Sequence, residues 1–71
     1  MSQSEEQAII NLLADGLTAQ EIADKTNCTV RTINFRLQVI YAKYNVPPGK
    51  HRNIKLLKAA GYIKEKNHLR D

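Results

Sequence analysis

Apolar residues recur at spacings of three and four in four separate segments of this sequence, and no segment shows the sustained alternation of a strand. The longest series consists of Val30, Ile33, Leu37, Ile40 and Tyr44. This spacing places side chains on one face of a helix. The sequence therefore predicts an all-α fold, a compact four-helix domain. The predicted helices span about residues 5–15, 19–25, 30–44 and 51–60.

Capping signals support these bounds. Ser4 with Gln7, and Thr18 with Glu21, have the spacing of capping boxes. Asn27 tolerates the positive φ of a tight turn, and the following threonine can cap the third helix. We expect the other buried faces to consist of Ala8, Ile9, Leu12 and Leu13 in the first helix, Ile22 and Ala23 in the second, and Ile54 and Leu57, with Leu56 as a further candidate, in the fourth.

With 71 residues, the chain is predicted to be one domain over residues 1–71, with a polar tail at 64–71 that is either an extra helical turn or a frayed end. Tyr62 and Ile63 are expected to fold back on the core, and Met1 favours a complete chain. Cys28 is the single cysteine, so no internal disulfide can form. No zinc-ligand spacing, membrane span or signal peptide is evident, so we expect a cytoplasmic protein without metal or cofactor.

Charge is distributed unevenly along the chain. Residues 1–24 contain five acidic residues and no Lys or Arg, whereas residues 25–71 contain all eleven basic residues and two acidic ones. A basic segment that follows an acidic one indicates a face directed at a polyanion, with nucleic acid as the leading candidate. A solvated basic face without a ligand is the alternative on charge alone.

The second and third helices are predicted to form a helix-turn-helix. Two helices joined by a three- or four-residue turn have this geometry. Ala23 is small where the helices cross, and Ile33 fills the angle between them. Asn27, four residues after Ala23, supplies the turn residue.

Three motifs resemble the LuxR/GerE-type helix-turn-helix DNA-binding domain. Residues 12–23 (LLADGLTAQEIA) are similar to its entry, residues 29–34 (TVRTIN) to the start of its recognition helix, and residues 42–46 (AKYNV) to that helix's close. Residues 54–63 are similar to its fourth helix, so the resemblance covers about residues 4–63. It implies a DNA-binding domain, and we expect this domain to stand alone because no receiver or ligand-binding domain precedes the motif. Asn34 and Arg36 replace the family's usual Lys and His, so base preference does not carry over.

An inward apolar stripe on the third helix turns another set of side chains outward. These candidate base-contacting residues are Arg31, Asn34, Phe35 and Gln38. Asn34 and Gln38 have amides that pair bidentately with adenine, Arg31 can pair with guanine or phosphate, and Phe35 can contact a thymine methyl group or another protein. The resemblance implies the same surface.

Two further surfaces follow from the same interpretation. The candidate phosphate contacts are Thr18, Lys25, Thr29, Thr32, Arg36, Lys43 and Lys50. For Thr18 and Thr29, helix capping alone explains the residue equally well. The resemblance implies a homodimer formed through the fourth helix. The candidate dimer residues are Lys55, Leu56, Lys58, Ala59 and Tyr62.

The leading hypothesis is a sequence-specific, double-stranded DNA-binding transcriptional regulator, with residues 30–44 in the major groove. The alternative is a small protein-interaction regulator that binds RNA polymerase or another transcription factor, which exposure of Phe35, Tyr41 and Leu56 together would favour. A promoter-reading domain like that of a sigma factor shares the motif without self-association. Tyr41 fits either the DNA backbone or the fourth helix. No catalytic constellation or small-molecule site is evident.

Overall fold

The computed structural model describes residues 1–62, and this range contains four α-helices and no strands. The helices are α1 (Gln3–Ala14), α2 (Ala19–Thr26), α3 (Val30–Lys43) and α4 (Arg52–Ala59). The predicted all-α, four-helix fold is confirmed. α2 packs against α3, and α1 packs against both α2 and α4. The predictions for Ile63 and for the tail at 64–71 lie outside the described residues.

α1 begins two residues earlier than predicted from the sequence. Its N-cap is Ser2, whose hydroxyl accepts a hydrogen bond from the Glu5 amide at 3.2 Å, while the Ser2 amide donates to the Glu5 carboxylate at 3.0 Å. The predicted box of Ser4 and Gln7 was therefore wrong. A carboxylate in the first turn interacts favourably with the positive end of the helix dipole, which favours the earlier of the two boxes.

The caps between α2 and α3 form as predicted. Thr18 and Glu21 make a reciprocal capping box, with hydrogen bonds of 3.2 and 2.8 Å. Asn27 has the left-handed conformation, with φ of 58° and ψ of 42°. The Thr29 hydroxyl accepts from the Thr32 amide at 3.2 Å and thereby caps α3.

All four helices end in the same hydrogen-bond pattern. In each case an amide just beyond the helix donates to the carbonyl five residues earlier, after a residue with positive φ, as in a Schellman motif. The donor and acceptor pairs are Leu17 to Leu12, Cys28 to Ala23, Val46 to Tyr41 and Tyr62 to Leu57. The residues that begin each connection are thereby held against the core, so three short loops orient the helices.

The core differs in detail from the predicted faces. Its largest fully buried side chains are Ile9, Ile10, Ile22, Ile33, Ile40 and Leu56. In α1, Ile10 is buried and Ala8 is exposed, contrary to the predicted face. α1 is covered by both α2 and α4, so its buried face is rotated from the predicted one. In α3, Val30 is exposed, whereas Tyr44 follows the helix as its half-buried C-cap.

α4 buries two of the three residues that were predicted to face inward. Leu56 is 0% exposed and Leu57 is buried beside it, whereas Ile54 is 45% exposed. The predictions for Leu57 and for the further candidate Leu56 are confirmed, and the prediction for Ile54 was wrong. Leu56 cannot belong to a dimer surface, because its side chain is enclosed within its own subunit. Successive residues of a helix point about 100° apart, so in a helix of eight residues a small rotation about the axis decides which aliphatic side chains reach the neighbouring helix.

Tyr41 belongs to the core and packs on α4. Its hydroxyl donates a hydrogen bond to Asn53, and the Arg52 guanidinium lies 3.9 Å from the centre of its ring. Arg52 also donates to the Val46 carbonyl at 3.4 Å. Burial raises the pKa of the Tyr41 phenol, which keeps the hydroxyl protonated as a donor. Tyr41 therefore links α3 to α4, which resolves the alternative left open by the sequence.

Candidate nucleic-acid interface

The contact between α2 and α3 has the geometry that the sequence predicted. Ala23 and Ile33 are both fully buried in the core, where the two helices pack. The turn between the helices contains only Asn27, Cys28 and Thr29. The Cys28 amide donates to the Ala23 carbonyl at 2.9 Å, which closes this turn on the end of α2. A rigid turn of this length sets the direction of α3 relative to α2.

α3 has one buried side and one open side. Its buried residues are Ile33, Leu37, Ile40 and Tyr41. The four predicted base-contacting residues, Arg31, Asn34, Phe35 and Gln38, are all exposed. Phe35 is 69% exposed, the largest value among the exposed large hydrophobic side chains of the described range. The structure thus brings these four side chains together on one unobstructed helix surface.

Val39 extends the same surface and was missed in the sequence analysis. It follows Phe35 by four residues and is 44% exposed. Residues four apart on a helix are neighbours on its surface. The four-residue spacing from Phe35 was the signal that could have placed Val39 on this surface. Because Val39 also lies next to Ile40 in the chain, the sequence equally allowed it to be part of the core.

The N-terminal end of α3 is electropositive. α1 and α2 have glutamates in their first turns, whereas α3 has no acidic residue there. The Thr29 hydroxyl accepts from the Thr32 amide and donates to the Thr32 hydroxyl at 3.1 Å. Such an end attracts anions because the first amides and the helix dipole both point outward.

The remaining predicted phosphate contacts fall into two groups. Thr18, Lys25 and Lys50 are exposed, although the Thr18 hydroxyl is also engaged as the cap of α2. Arg36 and Lys43 instead face α1. The Arg36 guanidinium lies 3.6 Å from the Glu5 carboxylate, and the Lys43 ammonium lies 2.9 Å from that of Glu6.

The pair of Lys43 and Glu6 is the stronger of these two contacts. Lys43 donates to both carboxylate oxygens of Glu6 at 2.9 Å, and the Tyr44 hydroxyl donates to one of them at 3.3 Å. The hydrogen bond with Glu6 raises the pKa of Lys43. The Lys43 side chain is still 53% exposed, so the pair lies at the surface on that side. Lys43 thereby holds α1 against the end of α3.

The predicted dimer residues, on α4 and just after it, are divided between surface and core. Lys55, Lys58, Ala59 and Tyr62 are exposed, whereas Leu56 is buried as described above. The Tyr62 hydroxyl donates to Asn11 of α1, which fixes the chain after α4 against the first helix. Ile54 adds an exposed apolar side chain that the prediction had placed inside.

The joint exposure that would favour the alternative, protein-interaction hypothesis is not found. Of Phe35, Tyr41 and Leu56, only Phe35 is exposed, so the structure adds no support to that hypothesis. Between residues 1 and 62, no three His, Cys, Asp or Glu side chains cluster as metal ligands would. None of the helices in this part of the chain is long and apolar enough to cross a membrane.

A short helix, a three-residue turn and a longer helix with an open polar face define a helix-turn-helix protein. The sequence comparison agrees, since residues 3–49 match the family model of bacterial regulatory proteins, luxR family, called GerE. This match spans about two thirds of the chain, and the chain belongs to the GerE/LuxR family. Comparisons with curated proteins and with solved structures found no significant match.

Family membership sets the general activity. The GerE/LuxR family consists of DNA-binding regulators of transcription and is not a family of enzymes. The matched range includes α1, α2 and α3 and ends at Gly49, before α4 begins at Arg52. The match therefore covers the helix-turn-helix and leaves the candidate dimer helix outside it.

Proposed function

We propose that this protein is a sequence-specific regulator that binds double-stranded DNA by inserting its recognition helix, residues 30–44, into the major groove. The observation that carries the proposal is the open face of α3, where Asn34 and Gln38 are both exposed. Their amides can donate to and accept from the adenine edge in the major groove. Bacterial DNA lies in the cytoplasm, and we place the activity there.

Phosphate contacts would hold α3 in register on either side of the groove. The N-terminal end of α3 and the exposed Lys25 and Lys50 supply positive charge without breaking any contact seen in the described residues. Arg36 and Lys43 would first have to share or release their carboxylate partners on α1. With Arg31 included, three to five phosphates are neutralised. The logarithm of affinity should therefore fall with the logarithm of salt concentration with a slope of about −2.7 to −4.5 per protomer.

A dimer formed through α4 would place two copies of α3 in successive major grooves. One domain of this size offers little contact surface to DNA, so two half-sites about one helical turn apart are expected. The exposed residues available for the contact are Ile54, Lys55, Lys58, Ala59 and Tyr62. Ile54 and Tyr62 supply its apolar part, whereas the two lysines repel one another and favour assembly on DNA over assembly in solution.

A mobility-shift titration with DNA selected from random duplexes tests the proposal. The double variant Asn34→Ala/Gln38→Ala should lose at least about thirtyfold of its preference for selected over random DNA, because two bidentate contacts are removed. The matched control is Gln3→Ala/Gln7→Ala, which removes two exposed amides four residues apart on α1. Equal loss in both variants, or unchanged preference in the first, would refute the proposal.

A further inference from the structure

Two apolar side chains form a row on the open face of α3. Phe35 and Val39 are exposed by 69% and 44%. They are four residues apart, so their Cα atoms are separated by about 6 Å along the helix. Apolar side chains in water gain free energy when a partner covers them. Covering Phe35 and Val39 would therefore contribute binding free energy in addition to the hydrogen bonds of the amides beside them.

A second row runs parallel to the first. Asn34 and Gln38 have the same spacing and precede the apolar pair by one residue each. In the major groove, an A·T base pair presents the adenine N6 and N7 groups beside the thymine methyl group. An amide next to an apolar side chain is thus complementary to the two halves of one A·T pair.

We propose that Phe35 and Val39 read two thymine methyl groups about two base pairs apart, and that α3 thereby selects A·T pairs at both positions. The helical distance of about 6 Å matches about two base-pair steps of 3.4 Å each. This inference rests on the proposed placement of α3 in the major groove. It adds Val39 as a residue that determines specificity.

DNA is a better match than a protein partner for this apolar row. α3 has Arg31, Arg36 and Lys43 and no acidic residue, which suits a polyanion. A stable protein interface buries about 800 Å² on each side, with aromatic side chains at its centre. Two side chains flanked by amides cover much less, and Tyr41, the other aromatic residue in α3, is buried.

The experiment removes single methyl groups from the DNA. The full chain is used to select duplexes, and each selected thymine is then replaced by deoxyuridine, which still pairs with adenine. Each replacement removes one methyl group from the proposed contact. We expect affinity to fall about fourfold for a replacement at either of two thymines, and about fifteenfold when both are replaced. Replacing a thymine that was not selected should have no effect.

Variants then assign each methyl group to a side chain. Val39→Ala should bind thymine and uracil duplexes equally tightly at one of the two positions and should still prefer thymine at the other. Phe35→Ala should show the reverse. Both residues are exposed, so neither variant should lose the fold, which the helical circular dichroism signal checks. Variants that keep the sensitivity of wild type at both positions would overturn the assignment.

The outcomes separate this inference from the proposed function. If uracil duplexes bind as tightly as thymine duplexes while Asn34→Ala/Gln38→Ala still abolishes selective binding, the methyl readout is wrong and the major-groove placement stands. If the protein selects no duplex at all, both are wrong.

Discussion

Lys43 donates hydrogen bonds to both carboxylate oxygens of Glu6, each at 2.9 Å, and thereby joins the last turn of α3 to the first turn of α1. The Glu6 carboxylate is largely buried at this contact, and the Tyr44 hydroxyl donates a further bond to it. The hydrogen bonds from these donors replace the hydration that the buried carboxylate loses.

Glu6→Gln should destabilise the domain by about 1 kcal/mol, because charge-assisted bonds become neutral ones and the half-exposed Lys43 limits the loss. Urea unfolding measures the effect. Asp15→Asn is the control: it changes an exposed acid at the other end of the same helix, the C-cap of α1, and should cause no loss. A Glu6→Gln protein as stable as wild type would contradict the role assigned to this ion pair.

Glu5 should make stability depend on pH. A hydrogen bond from the Ser2 amide and the charge of Arg36 lower the Glu5 pKa below its ordinary value of 4.5. The stabilisation is thus fully present above that value and is lost as pH falls through the lowered pKa.

Urea unfolding of Glu5→Gln should therefore show its largest deficit relative to wild type near neutral pH, and a shrinking deficit in acid. Gln3→Ala, an exposed neighbour without a titratable group, should differ from wild type by the same amount throughout. A constant deficit for Glu5→Gln would show that its charge is not involved.

Leu56→Ala and Ile54→Ala compare the two sides of α4. Leu56 is fully enclosed, so its truncation should lower the free energy of unfolding by about 2 to 5 kcal/mol. Ile54→Ala should change stability by about 0.5 kcal/mol or less, yet weaken dimer formation on DNA. Thermal unfolding and sedimentation with an operator duplex measure the two effects. Similar loss of stability in both variants would mean that the assigned rotation of α4 is incorrect.

Lys25→Ala tests the phosphate contacts separately from base recognition. Lys25 is exposed in the last turn of α2, and its removal should reduce the salt slope of DNA binding by about 0.9 per protomer for all sequences alike. Gln20→Ala is the control, because it removes an exposed, uncharged side chain from the same helix and should leave the slope unchanged. An unchanged slope for Lys25→Ala, or the same change in both variants, would contradict the phosphate contact.

Local chemistry explains what the sequence by itself determined. The capping box of Thr18 and Glu21, the left-handed Asn27 and the cap at Thr29 were all predicted, and each depends on atoms within about four residues. The long apolar period of α3 also predicted its open face correctly. The start of α1 was missed because two overlapping capping boxes competed there.

Only the tertiary structure decided which side of α4 is buried. In α4, Ile54, Leu56 and Leu57 allow more than one inward face, and the position of α1 selects the face with the two leucines. Lys43 likewise looked like a free cation until its partner, 37 residues earlier in the chain, was placed beside it. Burial and ion pairing depend on contacts between distant segments, and periodicity within one segment does not contain that information.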